Sequence, residues 1–170
     1  DNSVLIHQKI SAVAAEKSQQ IAVVSGQQQL TFKELDQRSN QLARMLSQNG
    51  VGKGTLVGIC MERSVDMVVT LLAILKSGAA YVPLSPSLPE QRLQYIVEDS
   101  GIKIAVTDSQ ENSNQFPATT QCLQIDDIAS FTQGFDAQML EAKGEASDIA
   151  YVMYTSCLLY TSPSPRDLST

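Results

Sequence analysis

The segment that most constrains the fold of this 170-residue chain runs from Asp66 to Gly101. Nine of the eleven residues from Val65 to Leu75 are apolar, so a helix formed here is apolar on every side. Ser64 suits the N-cap position, and Gly78 can adopt the left-handed conformation that ends a helix. The segment therefore predicts a helix buried between layers of structure.

A short strand, a proline-stiffened crossing and a second helix are expected to follow. Ala79–Val82 is strand-like, and the next prolines are Pro83, Pro86 and Pro89. Pro89 fits the first helical position (N1), and the negative charge of Glu90 is favourable near the positive end of the helix dipole. The helix should end at Ser100–Gly101 and bury Leu93, Ile96 and Val97.

The remaining sequence alternates between predicted helices and predicted strands. A helical period spans Val4–Lys17, and Thr31 to Glu34 matches a capping box whose helix runs to about Asn49. The expected strands are Ile21–Val24, Gln29–Leu30, Leu56–Cys60, Lys103–Thr107, Leu123–Ile125 and Ile149–Tyr154. Residues 108–121 are polar and indicate a mobile surface loop. This rhythm predicts an α/β fold, with parallel-sheet layers flanked by helices.

Composition excludes several classes of protein. Twelve basic residues against 18 acidic ones give a net charge of −6 without charge blocks, which argues against binding nucleic acid. The longest apolar helix is too short for a membrane span, and nothing at the N-terminus resembles a signal peptide, so neither is expected. Three widely spaced cysteines indicate neither a disulfide framework nor a metal cluster. A cytoplasmic protein is the expectation.

Most candidate sites are better explained by structure. Gly52–Gly54 departs from both common phosphate-loop patterns and predicts a turn between helix and strand. Cys60 is interpreted as a small buried residue, and Asp126–Asp127 as a helix cap rather than a metal site. The only histidine, His7, and the carboxylates of Glu98 and Asp99 suggest surface or packing roles.

One segment does indicate a ligand. Tyr154–Ser156 lies at the end of a predicted strand, and hydroxyls at the carboxyl end of a strand in an α/β sheet often contact phosphate. The residues after it, Cys157–Leu159, are unsuited to a phosphate loop, which needs glycines. No catalytic residue and no metal ligand is assigned.

Four motifs resemble the amino-acid adenylation domains of nonribosomal peptide synthetases, within the wider family of adenylate-forming enzymes. They are Leu30–Leu35 (LTFKEL), Leu75–Leu84 (LKSGAAYVPL), Pro86–Ser100 (PSLPEQRLQYIVEDS) and Asp148–Ser156 (DIAYVMYTS). The second is the most specific. Together they cover roughly residues 5–156, in order. The resemblance implies an incomplete N-terminal subdomain of an adenylate-forming enzyme.

The resemblance also implies an activity. Such domains bind ATP, Mg²⁺ and an amino acid, form an aminoacyl-adenylate and pass the acyl group to the phosphopantetheine thiol of a carrier domain. Carrier and condensation domains are the implied neighbours. Thr155 and Ser156 match the start of the family's phosphate-binding loop and are the residues expected to contact ATP. The matches at 30–35 and 75–84 are interpreted as structural.

Two departures from the family pattern stand out. Ser85 occupies a position where the family commonly has Asp. After Ser156, the chain reads CLLYTSPSPRDLST instead of a Gly/Ser/Thr-rich loop, and Tyr-Thr-Ser occurs a second time. Residues 1–156 are therefore interpreted as the N-terminal part of an AMP-binding domain, and 157–170 as a non-native tail resembling translated vector sequence. The family's amino-acid pocket and catalytic lysine would lie beyond this break, so the 170-residue chain alone is expected to be inactive.

Two other interpretations stay open at this point. An acyl- or aryl-acid CoA ligase would share the same motifs. A non-catalytic α/β interaction module could keep the first half of the family fold without its chemistry.

Overall fold

The computed structural model describes residues 6–17 and 19–125, with side chains from Ser11 onward. The helices are α1 (Ile6–Glu16), α2 (Phe32–Gln48), α3 (Val65–Lys76), α4 (Glu90–Ser100) and α5 (Gln110–Asn114). The strands are β1 (Ile21–Ser25), β2 (Gln28–Thr31), β3 (Leu56–Cys60), β4 (Ala80–Pro83), β5 (Ile104–Thr107) and β6 (Gln121–Gln124). None of the helices described in this part of the chain has the length and apolarity needed to cross a membrane.

The strands form two sheets. β1 and β2 make an antiparallel hairpin, whereas β3 to β6 form a parallel sheet in the order β4-β3-β5-β6. β3 lies inside this sheet, with Val57 aligned to Tyr81 on one side and Ile104 on the other. Its continuous apolar sequence suits a strand that is covered on both faces. The predicted α/β fold with a parallel sheet is therefore confirmed.

Alternation along the strands creates two separate cores. Val57, Ile59 and Val106 face α2 and α3, where they join one buried cluster. Cys60 and Ala105 point to the opposite face and pack with side chains of α4. Because successive residues of a strand point to opposite faces, one short strand supplies both clusters.

Helix α3 is as buried as its sequence predicts. It packs against α2 and against the sheet, and nine of its twelve residues are buried. The Ser64 hydroxyl accepts a hydrogen bond from the Met67 N–H at 3.2 Å, and Gly78 adopts a φ of 83°. Both predicted ends of this helix are confirmed.

The capping box at the start of α2 is confirmed as well. The Glu34 N–H donates to Thr31 Oγ1 at 3.1 Å, while Glu34 Oε1 accepts from the Thr31 N–H at 2.9 Å. Each side chain thereby satisfies a backbone amide that has no partner inside the helix.

The assignment of Pro89 to the first helical position was wrong by one residue. Pro89 is the N-cap, with a ψ of 143°, and α4 begins at Glu90. The Pro89 carbonyl accepts the Leu93 N–H at 3.0 Å, which is the first hydrogen bond of the helix. An N-cap residue has an extended backbone while its carbonyl already belongs to the helix, and proline is compatible with both conditions.

The prediction of a mobile surface loop over 108–121 was also wrong. Helix α5 occupies Gln110–Asn114, and β6 already begins at Gln121. Ser109 caps α5 by accepting the Asn112 N–H at 3.1 Å. The Phe116 side chain is buried in the same cluster as Cys60, Ala105 and the side chains of α4. The Ser109 cap and the buried Phe116 therefore give this polar segment an ordered structure.

A buried lysine at the end of α3 bonds to α2. Lys76 is only 1% exposed, and its Nζ donates to Asp36 Oδ1, Ser39 Oγ and Asn40 Oδ1, each at 2.7 Å. Those three residues share one face of α2, since they are spaced three and four positions apart. Ser11 of α1 donates to the same Asp36 oxygen at 2.7 Å. The Asp36 carboxylate thus connects three helices, because it accepts from Ser11 of α1 and from Lys76 of α3.

The protonation of Lys76 is set by two opposing effects. Burial lowers the pKa of the Lys76 ammonium from its usual value, and the hydrogen bond and charge of Asp36 oppose that change. A buried cation persists only where such partners compensate for the lost hydration.

Replacing Lys76 with methionine should destabilise the fold. The K76M change keeps most of the volume but leaves Asp36, Ser39 and Asn40 without their shared donor, which we expect to cost about 3 kcal/mol in the free energy of unfolding. Urea denaturation followed by circular dichroism measures the loss. Lys103 is exposed, so K103M is the matched control and should change stability by less than about 0.5 kcal/mol. Equal stability of the two variants would contradict the role assigned to Lys76.

Two glycines should respond in opposite ways to alanine. A Cβ at Gly58 would lie 3.4 Å from Ala105 Cβ and from Leu84 Cδ1, an ordinary contact distance, so Gly58→Ala should be neutral or stabilise by up to about 1 kcal/mol. Gly101 ends α4 with a φ of 75°, so Gly101→Ala should destabilise by roughly 1–2 kcal/mol. Thermal denaturation of both variants tests this pair. The opposite order of melting temperatures would refute the explanation.

Candidate functional site

The carboxyl ends of the parallel strands enclose a cleft. Its volume is about 320 Å³, and it is lined by Glu62, Pro86, Ser87, Asp108, Ser109, Glu111 and Asn112. These residues come from the segments that follow β3, β4 and β5. Ligands of open α/β sheets bind at this edge, so the cleft is the candidate site within the described residues.

Asp108 connects two sides of the cleft. It directly follows β5, and its Oδ2 accepts the backbone N–H of Glu62, after β3, at 2.7 Å. Its Oδ1 accepts from Asn112 Nδ2, in α5, also at 2.7 Å. Asn112 is buried and therefore needs such a partner. Asp108 holds the strand ends and α5 in one arrangement.

A serine turn forms another wall. The Ser85 hydroxyl accepts the Ser87 N–H at 3.2 Å and lies 2.8 Å from Ser87 Oγ. Side-chain oxygens of Asp and Asn stabilise turns in the same way, by bonding the backbone two residues further on. This contact gives Ser85 a structural role at the position where the resembling family commonly has Asp.

The charge of the cleft limits what it can bind. Glu62, Asp108 and Glu111 contribute three carboxylates and the lining contains no basic residue, so the cleft itself repels phosphate groups. Among residues 6–17 and 19–125, no group of three or more His, Cys, Asp or Glu side chains is placed to hold a metal ion. The described part of the site is therefore an ordered surface with a negative charge.

The two residues expected to contact ATP, Thr155 and Ser156, lie outside the described residues. The same is true of the predicted Asp126–Asp127 cap and the predicted strand Ile149–Tyr154. Their assignments stay predictions.

The turn predicted at Gly52–Gly54 is confirmed. The Gly52 N–H donates to Thr55 Oγ1 at 3.1 Å, and the Gly52 carbonyl accepts the Thr55 N–H at 3.0 Å. The turn precedes β3 and so lies at the opposite edge of the sheet from the cleft. Its hydrogen bonds are internal, as in a structural turn.

Cys60 is buried, as expected for a small core residue. Burial, followed by the negative charge of Asp108, raises the pKa of the Cys60 thiol to about 12. The thiolate is the nucleophilic form of cysteine, so this thiol is inert at neutral pH. Burial also raises the pKa of Cys122. Glu98 and Asp99 are exposed at the end of α4, and His7 belongs to α1.

Sequence reasoning missed the connection made by Asp108. The available signal was an Asp-Ser pair directly after a strand, because Ser109 is a preferred N-cap residue and indicates that a helix begins there. The hydrogen bond to Glu62 joins residues 46 positions apart and has no local signature.

Comparison with known proteins identifies related sequences. A model of the family described as AMP-binding enzyme matches residues 10–157. The chain is 46% identical over 138 residues to zwittermicin A synthase ZmaJ of Bacillus cereus, covering 81% of this chain and 26% of that protein. It is 41% identical over 152 residues to tyrocidine synthase 3 of Brevibacillus parabrevis, covering 89% of this chain and 2% of that protein. The chain thus spans about a quarter or less of these relatives.

Solved structures share the fold. The AMPPNP-bound crystal structure of the nonribosomal peptide synthetase FmoA3 superposes with a TM-score of 0.82 at 28% identity, covering 90% of this chain and 16% of that one. O-succinylbenzoate coenzyme A synthetase (MenE) of Bacillus subtilis, in complex with AMP, gives a TM-score of 0.69 at 25% identity, covering 78% and 34%.

Removing the Asp108 carboxylate should weaken the carboxyl edge. In Asp108→Ala, the buried Asn112 amide loses its acceptor, and we expect a loss of about 2 kcal/mol in the free energy of unfolding. Hydrogen exchange should also accelerate at the amides of α5. Glu111 lines the same cleft and is exposed, so Glu111→Gln is the control and should leave both quantities unchanged. Unaltered α5 exchange in Asp108→Ala would contradict the structural role of this carboxylate.

Proposed function

The chain belongs to the AMP-binding enzyme family, and on that basis we propose that it is the N-terminal part of an adenylation domain that activates an amino acid. The observation that carries this proposal is the match along residues 10–157, joined with 41–46% identity to the tyrocidine and zwittermicin synthases. The structure of FmoA3, a nonribosomal peptide synthetase with AMPPNP bound, supports ATP as the nucleotide.

The proposed reaction has two steps. An amino-acid carboxylate attacks the α-phosphorus of ATP, pyrophosphate leaves and an aminoacyl-adenylate forms. The thiol of a phosphopantetheine on a carrier domain then attacks the acyl carbon, and AMP leaves. Both steps depend mainly on positioning and on stabilising developing negative charge. In the intact protein, neighbouring carrier and condensation domains are the proposed partners.

The part of the chain that the structure describes serves this reaction as a scaffold. The cleft repels phosphate, and the described residues provide no group suited to hold Mg²⁺, so no step is assigned to them. Their proposed contribution is the parallel sheet, whose carboxyl edge is held by Asp108. In the intact enzyme, Mg²⁺ bound with ATP would neutralise phosphate charge, and residues outside the described part of the chain would hold the ion.

Thr155 and Ser156 are the proposed ATP contacts. Their hydroxyls can donate hydrogen bonds to phosphate oxygens, and they fall within the family match. Residues 1–156 form the proposed native part of the domain and 157–170 the non-native tail. The end of the family match at residue 157 supports this boundary. Sequencing the genomic locus tests it, since an in-frame CLLYTSPSPRDLST at that position would refute a foreign tail.

A CoA ligase is the second candidate. The fold shared with MenE, at 25% identity, favours this alternative. The higher identity to the tyrocidine and zwittermicin synthases favours the first. The two differ in the acyl acceptor, which is a carrier-domain thiol in one case and free coenzyme A in the other.

The intact enzyme should catalyse amino-acid-dependent exchange of pyrophosphate into ATP. The 170-residue chain alone should show no exchange, because the resemblance places the amino-acid pocket and catalytic lysine outside it. In the intact enzyme, the double change Thr155→Ala and Ser156→Ala should reduce exchange by about 100-fold, as for other groups that stabilise transition-state charge.

Thr119 is exposed and distant in sequence from the proposed contacts, so Thr119→Ala is the control and should retain full exchange. Full exchange by the double variant would remove Thr155 and Ser156 from the ATP site. An intact enzyme that accepts fatty or aryl acids but no amino acid would overturn the proposed substrate class.

A further inference from the structure

We draw no further inference here: the strongest candidate, the outer edge of β6 at the end of the four-stranded sheet, has no paired strand within the described residues, and nothing among them shows which segment covers it.

Discussion

The fold depends on how a single ammonium group is satisfied inside it. Lys76 ends the most apolar of the described helices, and its Nζ lies among side-chain oxygens of α2. An ammonium has three hydrogens, and the side chains of Asp36, Ser39 and Asn40 accept at 2.7 Å, with the Asp36 carbonyl further away at 3.2 Å. Ser39 can accept because its own hydrogen is donated to the Leu35 carbonyl at 2.7 Å. Apolar contacts between two helices tolerate sliding, whereas these hydrogen bonds fix one register.

That register extends to the edge of the sheet. α3 packs on β3 and β4, so fixing α3 against α2 also fixes the layer that covers one face of the sheet. α4 covers the other face, and the carboxyl ends of β3 and β5 are joined through Asp108. The strand ends that surround the cleft are therefore positioned by the helices packed on both faces of the sheet and by the Asp108 carboxylate. In the proposed adenylation domain, this edge serves as part of the scaffold.

How much the sequence predicts depends on the range of each interaction. The Thr31–Glu34 capping box, the buried run of α3 and the continuous apolar strand β3 are local patterns, and all were predicted correctly. Lys76 was included only as part of a motif, because its partners lie 36 to 40 residues earlier and nothing near it indicates burial. α5 was not predicted because the segment 108–121 is polar like a loop. Its order comes from the Ser109 cap and from the burial of Phe116. The expected ATP contacts, Thr155 and Ser156, came from resemblance, and the local chemistry alone offered only two hydroxyls after a strand.

Lys76 and Asp36 stabilise the fold through their interaction with each other. A double-mutant cycle of Lys76→Met and Asp36→Asn, measured by urea denaturation, isolates their interaction from the effects of either change alone. We expect a coupling energy of about 1–3 kcal/mol, with the double variant more stable than the sum of the single losses implies. Additive losses, with a coupling energy near zero, would contradict a stabilising interaction between Lys76 and Asp36.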